Sequence, residues 1–215
     1  MIEFKNVYKA FGDTEVLHNL SFTIKKGSFT AITGPSGSGK STILNIMGLL
    51  DRADKGNVRI DMHENVKPFS KDATEILRNE IGYLFQNFAL IDNKSVKYNL
   101  MIALEHVKEK NKSKLINEAL IKVGLKGFEN KKIFECSGGE QQRIAIARLL
   151  LKPCQIVLCD EPTGSLDEEN KQVIFDLLKY LQEQGKTLVV VTHDEDLVEI
   201  ADEVIVIHKY TETVS

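Results

Sequence analysis

Gly34-Pro35-Ser36-Gly37-Ser38-Gly39-Lys40-Ser41-Thr42 fits the spacing G-x-x-x-x-G-K-[ST], and its surroundings decide how that spacing is read. Phe29-Thr30-Ala31-Ile32-Thr33 ahead of it is a short β-type run, and Ile43-Leu44-Asn45-Ile46-Met47 behind it is an apolar helix start. A strand, a glycine-rich turn and a helix make this a phosphate loop rather than a Gly/Ser linker. Glycines allow consecutive backbone N–H groups to turn inward around an anion, at φ values that a residue with a Cβ adopts only at a cost. The helix N-terminus adds its partial positive charge at the same place. Lys40 then reaches the β- and γ-phosphates, and the Ser41 hydroxyl ligates Mg²⁺. The stretch predicts a nucleoside triphosphate as ligand.

Working outward, 215 residues suit one domain, or one domain with a modest inserted lobe. A net charge of -3 argues against nucleic acid as the main ligand, because binding to a phosphate backbone needs an excess of Lys and Arg. No apolar run approaches the roughly 20 residues that span a bilayer. Met1-Ile2-Glu3-Phe4-Lys5 lacks the apolar region of a signal peptide. Cys136, Cys154 and Cys159 show no metal-type spacing and read as reduced thiols.

Upstream of the loop, 2–7 and 21–24 read as strands separated by a turn at Gly12-Asp13. Phe11, just before that turn, is either a platform for a purine ring or an ordinary edge aromatic. Downstream, 57–61 reads as a strand, 71–79 as a short helix and 81–86 as an apolar strand that ends on Gln86. Polar residues at strand ends lie on the ligand-binding edge of an α/β sheet. Apolar residues at 3-to-4 spacing predict helices over 95–105 and 113–123, with Gly124 as the stop. A helical block between strands suggests an inserted lobe. It ends in Glu135-Cys136-Ser137-Gly138-Gly139-Glu140-Gln141-Gln142-Arg143 and a helix over 144–151. Ser-Gly-Gly ahead of a helix is either a plain cap or a second phosphate contact.

Ile156-Val157-Leu158-Cys159 is a buried-strand run that delivers Asp160 and Glu161 to the ligand side. Asp160 suits a partner of Mg²⁺, and Glu161 suits a base that polarises the attacking water. Pro162 to Asp167 connects to a helix over 168–184, and a strand over 187–191 leads to Thr192-His193-Asp194. His193 is structural or catalytic, and its strand-end position favours the second. A last strand over 204–207 and a polar tail complete the chain.

Taken in order, these residues resemble the ATP-binding cassette family over essentially the whole chain. The resemblance rests on the phosphate loop, Gln86, the signature Cys136 to Glu140, Ile156 to Glu161, Ser165-Leu166-Asp167 and His193. It implies an α/β fold: a P-loop NTPase (RecA-like) core with an antiparallel β subdomain and an inserted α-helical signature lobe. Residues 1–87 and 152–215 would form the core lobe and 88–151 the helical lobe. It also implies an ATPase coupled to transport, with ATP and Mg²⁺ as cofactors. By analogy, Ser41 and Gln86 ligate Mg²⁺, with Asp160 beside them. Glu161 is the general base, His193 senses the γ-phosphate and Phe11 takes the place of an adenine-stacking aromatic. Ser137, Gly138, Gly139 and Glu140 would meet the nucleotide of a second copy in a head-to-tail dimer.

Two signature positions depart from the family pattern: Cys136 stands where Leu is usual, expected to pack, and Glu140 where Gln is usual, expected to add charge near the partner's phosphate. Within the family the phrases resemble the macrolide-export and lipoprotein-release branch, and look closest to its bacteriocin-export ATPases, the lactococcin group. The expected partners are a second copy and a separate membrane-spanning permease, received in a groove near 88–98. That places the chain in the cytoplasm, peripheral on the inner face of the membrane. An ATP-dependent regulator of an envelope membrane protein is the alternative function.

Overall fold

The computed structural model describes residues 1–164 and 166–210; Ser165 of the Ser165-Leu166-Asp167 segment and the tail beyond Tyr210 lie outside the described residues. The strand ahead of the phosphate loop, β3 (Phe29–Thr33), is second from one edge of a five-stranded parallel sheet. The order is β6-β7-β8-β3-β9, with β6 Ile81–Leu84, β7 Ile156–Asp160, β8 Thr187–Val191 and β9 Glu203–Val206. Ala31 at its centre pairs with Val190 on one side and Val204 on the other.

The sheet is apolar on both faces because both are covered. Along β7, Val157 and Cys159 face one hydrophobic cluster while Ile156 and Leu158 face the other; β8 divides Leu188 and Val190 from Val189 and Val191. The second cluster includes α1 (Lys40–Met47), α2 (Lys71–Asn79) and a four-stranded antiparallel sheet. That sheet has the order β2-β1-β4-β5, from β1 (Ile2–Phe11), β2 (Thr14–Ile24), β4 (Lys55–Ile60) and β5 (His63–Glu64). This is the mixed α/β architecture that the resemblance implies.

Residues 88–151 carry α3 (Val96–Ala103), α4 (Lys112–Lys122) and α5 (Gly138–Leu151). Their core is not separate from that of the sheet. Ile144, Ala145, Ile146, Ala147 and Leu149 of α5 join Leu100 and Leu120 to Leu84, Val157 and Leu178 in one cluster. Leu178 belongs to α6 (Glu168–Glu183), and a short α7 (Glu195–Glu199) follows β8.

Several boundaries differ from the sequence reading. The first two strands are longer because they pair along most of their length across the Gly12-Asp13 turn, with Phe11 opposite Thr14. β6 stops at Leu84, which leaves Gln86 in an exposed turn rather than in the strand. α5 begins at Gly138, six residues before the expected start at Ile144, because Ser137 and Glu140 form a capping box that recruits both glycines into the first turn. Neither β5 nor α7 has enough residues to give a periodic signal.

Gly56 shows how tightly the antiparallel sheet is closed. Its φ is +91°, and a Cβ there would lie 2.2 Å from the carbonyl oxygen of Asn6. Gly56→Ala should therefore cost at least about 2 kcal/mol, roughly 4–8 °C in melting temperature. A thermal melt that matches the native chain would contradict this close approach.

Candidate functional site

Four strands end on one edge of the parallel sheet, and each delivers a residue singled out in the sequence. Lys40 and Ser41 follow β3, Gln86 follows β6, Asp160 and Glu161 close β7, and His193 follows β8. With Phe11, Ser36, Gly37, Gly39 and Thr42 they line one cavity of about 400 Å³. Gly34, Pro35 and Ser38 shape the loop from behind. At Gly34 the requirement for glycine is steric as well as conformational: φ is +146°, and a Cβ would fall 2.1 Å from the carbonyl oxygen of Ile207. Ser38 is 1% exposed, and among the described residues its Oγ has no hydrogen-bond partner.

Lys40 Nζ donates to the carbonyls of Gly34 at 2.8 Å and Pro35 at 3.0 Å, so the ammonium crosses back over the loop. Burial pushes the Asp160 carboxyl upward, while a hydrogen bond from Ser41 and the charge of Lys40 pull it back. Burial raises Glu161 as well, opposed by the His193 N–H, which donates to Oε2 at 3.3 Å. His193 Nε2 lies 3.5 Å from Glu161 Oε1. Glu161 also carries a φ of +45°, an uncommon value for a residue with a side chain, held by its N–H donating to Val191 at 2.9 Å. Strain of this kind is characteristic of functional loops, and no sequence pattern announces it.

Among the described residues no cluster of three or more His, Cys, Asp or Glu side chains could hold a metal ion. The oxygens of Ser41, Gln86 and Asp160 are nevertheless of the hard type that suits Mg²⁺. That ion keeps water and substrate phosphate in its shell and needs few protein ligands.

The signature residues do not reach this cavity. Ser137, Gly138, Gly139 and Glu140 open α5 away from it. Gly139 faces Asn170 so closely that a Cβ would lie 2.5 Å from Oδ1. Cys136 is buried against the helical core, as expected for a packing residue. The expected added charge at Glu140 takes a different form: Oε2 accepts from the Ser137 N–H at 2.7 Å and pairs with Lys131 at 3.1 Å. The charge is thus turned back into its own cap.

Sequence reasoning missed the ties between these parts. Buried Gln142 donates to the Pro162 carbonyl at 2.6 Å, joining α5 to the loop after Glu161. Arg143 donates to Asn170 at 2.9 Å, and Thr163 donates to Asp194 at 2.9 Å. Their positions beside the signature and beside His193 were visible, but their partners lie across the fold.

The family described as ABC transporter matches residues 17–164. The chain belongs to the ABC transporter family. It is an ABC ATPase domain. The macrolide export ATP-binding/permease protein MacB of Mannheimia succiniciproducens is 38% identical over 211 residues, 95% of this chain and 33% of that protein. The chain therefore spans about a third of the length of that relative. YvrO of Bacillus subtilis, an ABC transporter ATP-binding protein, is 38% identical over 213 residues, 96% of this chain and 93% of the relative. A dimeric post-hydrolysis structure of the ATP-binding cassette MJ0796, bound to ADP and Pi, is 37% identical. It superposes with a TM-score of 0.87 over 98% of this chain and 97% of that one.

The Glu140 contacts predict a pH effect. Burial raises its carboxyl, but the Ser137 N–H and Lys131 outweigh that and hold it below its ordinary value of 4.5. A lowered carboxylate contributes stability that is present above its unfolded pKa and lost as pH falls through the folded one. Glu140→Gln should lose about 0.5–1 kcal/mol at neutral pH, and the deficit should close as acid protonates the native carboxyl. Equal deficits at pH 7 and well below pH 4 would contradict the assignment.

Proposed function

We propose that the chain hydrolyses ATP to drive export of a peptide, bacteriocin or similar antimicrobial amphiphile through a separate membrane-spanning permease. The observation that carries the ATPase site is the convergence of Lys40, Ser41, Gln86, Asp160, Glu161 and His193 on one cavity. Export rests on the MacB relatives, and the narrower bacteriocin reading on the phrases around Gln86 and Cys136.

In this reading Lys40 exchanges its two loop carbonyls for β- and γ-phosphate oxygens, and Phe11 stacks on the base. Ser41, Gln86 and Asp160 would hold Mg²⁺, which when bound neutralises charge between the β- and γ-phosphates. Glu161, whose half-buried carboxyl holds a proton more readily than usual, orients water for in-line attack on the γ-phosphorus. His193 contacts the γ-phosphate and keeps the Glu161 carboxylate in place.

Ser137, Gly138, Gly139 and Glu140 belong, on this account, to the site of a second copy. Their distance from the chain's own cavity supports a composite site, as does the dimeric form of MJ0796. The core lobe (1–87 with 152–215) and the helical lobe (88–151) pivot on Gln86 as the γ-phosphate comes and goes.

No helix among the described residues is long and apolar enough to cross a membrane, and in this reading a permease supplies the membrane-spanning path. The groove that suits it, about 290 Å³ beside the Gln86 turn, takes only Ala89 from the expected 88–98 stretch and is lined mainly by residues on either side, Tyr83, Phe85, Ile102, His106, Arg148 and Lys152 among them. Burial lowers the pKa values of both Arg148 and Lys152, and among the described residues no acidic side chain lines the groove. A permease segment that enters it is expected to be amphipathic and to carry a carboxylate. The chain would sit on the cytoplasmic face of the membrane.

Glu161→Gln should bind ATP at native affinity while turnover falls about 100-fold or more; turnover at the native rate would remove Glu161 as the base. A tagged Glu161→Gln chain with Mg-ATP should capture a multi-span membrane protein from detergent-solubilised native membranes. Capture of ribosomal or other soluble proteins, with no membrane protein, would overturn the transport reading.

A further inference from the structure

We propose that Lys9 is a positioning residue for the nucleotide base, acting through the ring of Phe11. The inference rests on the reading of Phe11 as the base platform. Strand alternation puts Lys9 and Phe11, two residues apart on β1, on the same face. Their environments differ sharply: Lys9 is 7% exposed, whereas Phe11 is 53% exposed at the mouth of the nucleotide cavity. The Lys9 ammonium lies 5.0 Å from the centroid of the Phe11 ring.

Lysine is almost never buried to this degree unless it is paired. Here Nζ donates to Asp51 Oδ1 at 2.7 Å and to the Arg52 carbonyl at 3.0 Å, with Asp54 Oδ1 at 3.7 Å. All three partners belong to the connection between α1 and β4. The same connection is tied to β1 on either side of Lys9. Asp54 N–H donates to the Tyr8 carbonyl at 2.9 Å, and Ala10 N–H donates to Asp54 Oδ2 at 2.8 Å. The ammonium therefore has a fixed position, and the ring lies over a fixed cation.

Two consequences follow for the ring. Phenylalanine has no hydroxyl with which to hydrogen-bond, so a half-exposed ring at a strand end takes its orientation from what it packs against. A desolvated cation under the ring holds it more strongly than an exposed one would. The cation also draws electron density toward itself, which leaves the ring a better stacking partner for an electron-rich purine. The connection that holds Lys9 leaves the C-terminal end of α1, and α1 starts at Lys40 in the phosphate loop. The base platform and the triphosphate site are thus both referenced to one helix, which sets the span between them.

The test compares ATP with inorganic tripolyphosphate, which lacks the base, as ligands in calorimetric titrations with Mg²⁺. Lys9→Met should weaken ATP about threefold to thirtyfold, the span from a half-exposed to a desolvated cation–ring contact, and leave tripolyphosphate unchanged. Lys9→Arg, which keeps a cation over the ring, should restore ATP affinity to within about twofold. In a Phe11→Leu background, Lys9→Met should have no further effect. Equal weakening of both ligands, or an undiminished loss in the Phe11→Leu background, would make Lys9 a purely structural ion pair and overturn the proposal. Asp51→Asn, which loosens the ammonium without removing it, should give a smaller loss confined to ATP; equal loss for both ligands would again contradict it. If Phe11→Leu leaves ATP affinity unchanged, Phe11 does not touch the base and the proposal falls with that reading, while the triphosphate site stands.

Discussion

The close approach of Gly34 to the end of β9 is the constraint on which the site depends. β3 leaves the sheet between β8 and β9, with Ile207 N–H donating to the Thr33 carbonyl at 2.8 Å. At the next residue the chain must turn where a Cβ would collide with the Ile207 carbonyl. Only glycine passes that point without displacing an edge strand, and the loop that begins there aims backbone N–H groups and α1 at one spot. The position of Lys40, and through it the environment of Asp160 and Glu161, follows from this turn.

Burial then prepares the chemistry. The end of β7 brings two carboxylates to the mouth of an apolar strand, and desolvation raises both. Lys40 and Ser41 moderate Asp160, and the His193 N–H moderates Glu161. The two acids are therefore held under different restraints although they are adjacent in sequence. In the proposed reading the signature segment is the complementary half: capped by Ser137, with Glu140 paired to Lys131, it exposes Ser137 and Gly138 away from the chain's own cavity.

Much of this was legible because parallel strands announce themselves. Ile156 to Cys159 and Thr187 to Val191 read as unbroken apolar runs, and the residues at their ends read as site residues. The phosphate loop carried its own context. Other features depend on partners distant in sequence. The early start of α5 turns on a reciprocal cap that competes with the loop preference of two glycines. The position of Gln86 in a turn reflects a strand that ends once its parallel partner, β7, has reached Cys159 opposite Leu84. The buried ammonium of Lys9 could not be foreseen either, since Asp51 lies 42 residues away. The left-handed backbone of Glu161 leaves no trace in composition or periodicity.

The central claim is that one chain holds two unlike half-sites and that ATP joins two copies. The most direct measurement is the light-scattering mass of the Glu161→Gln chain with Mg-ATP. The account predicts a doubling from the 24.2 kDa monomer that requires ATP and disappears when Ser137 is replaced by Arg. A chain that stays monomeric with one ATP bound per molecule would contradict it.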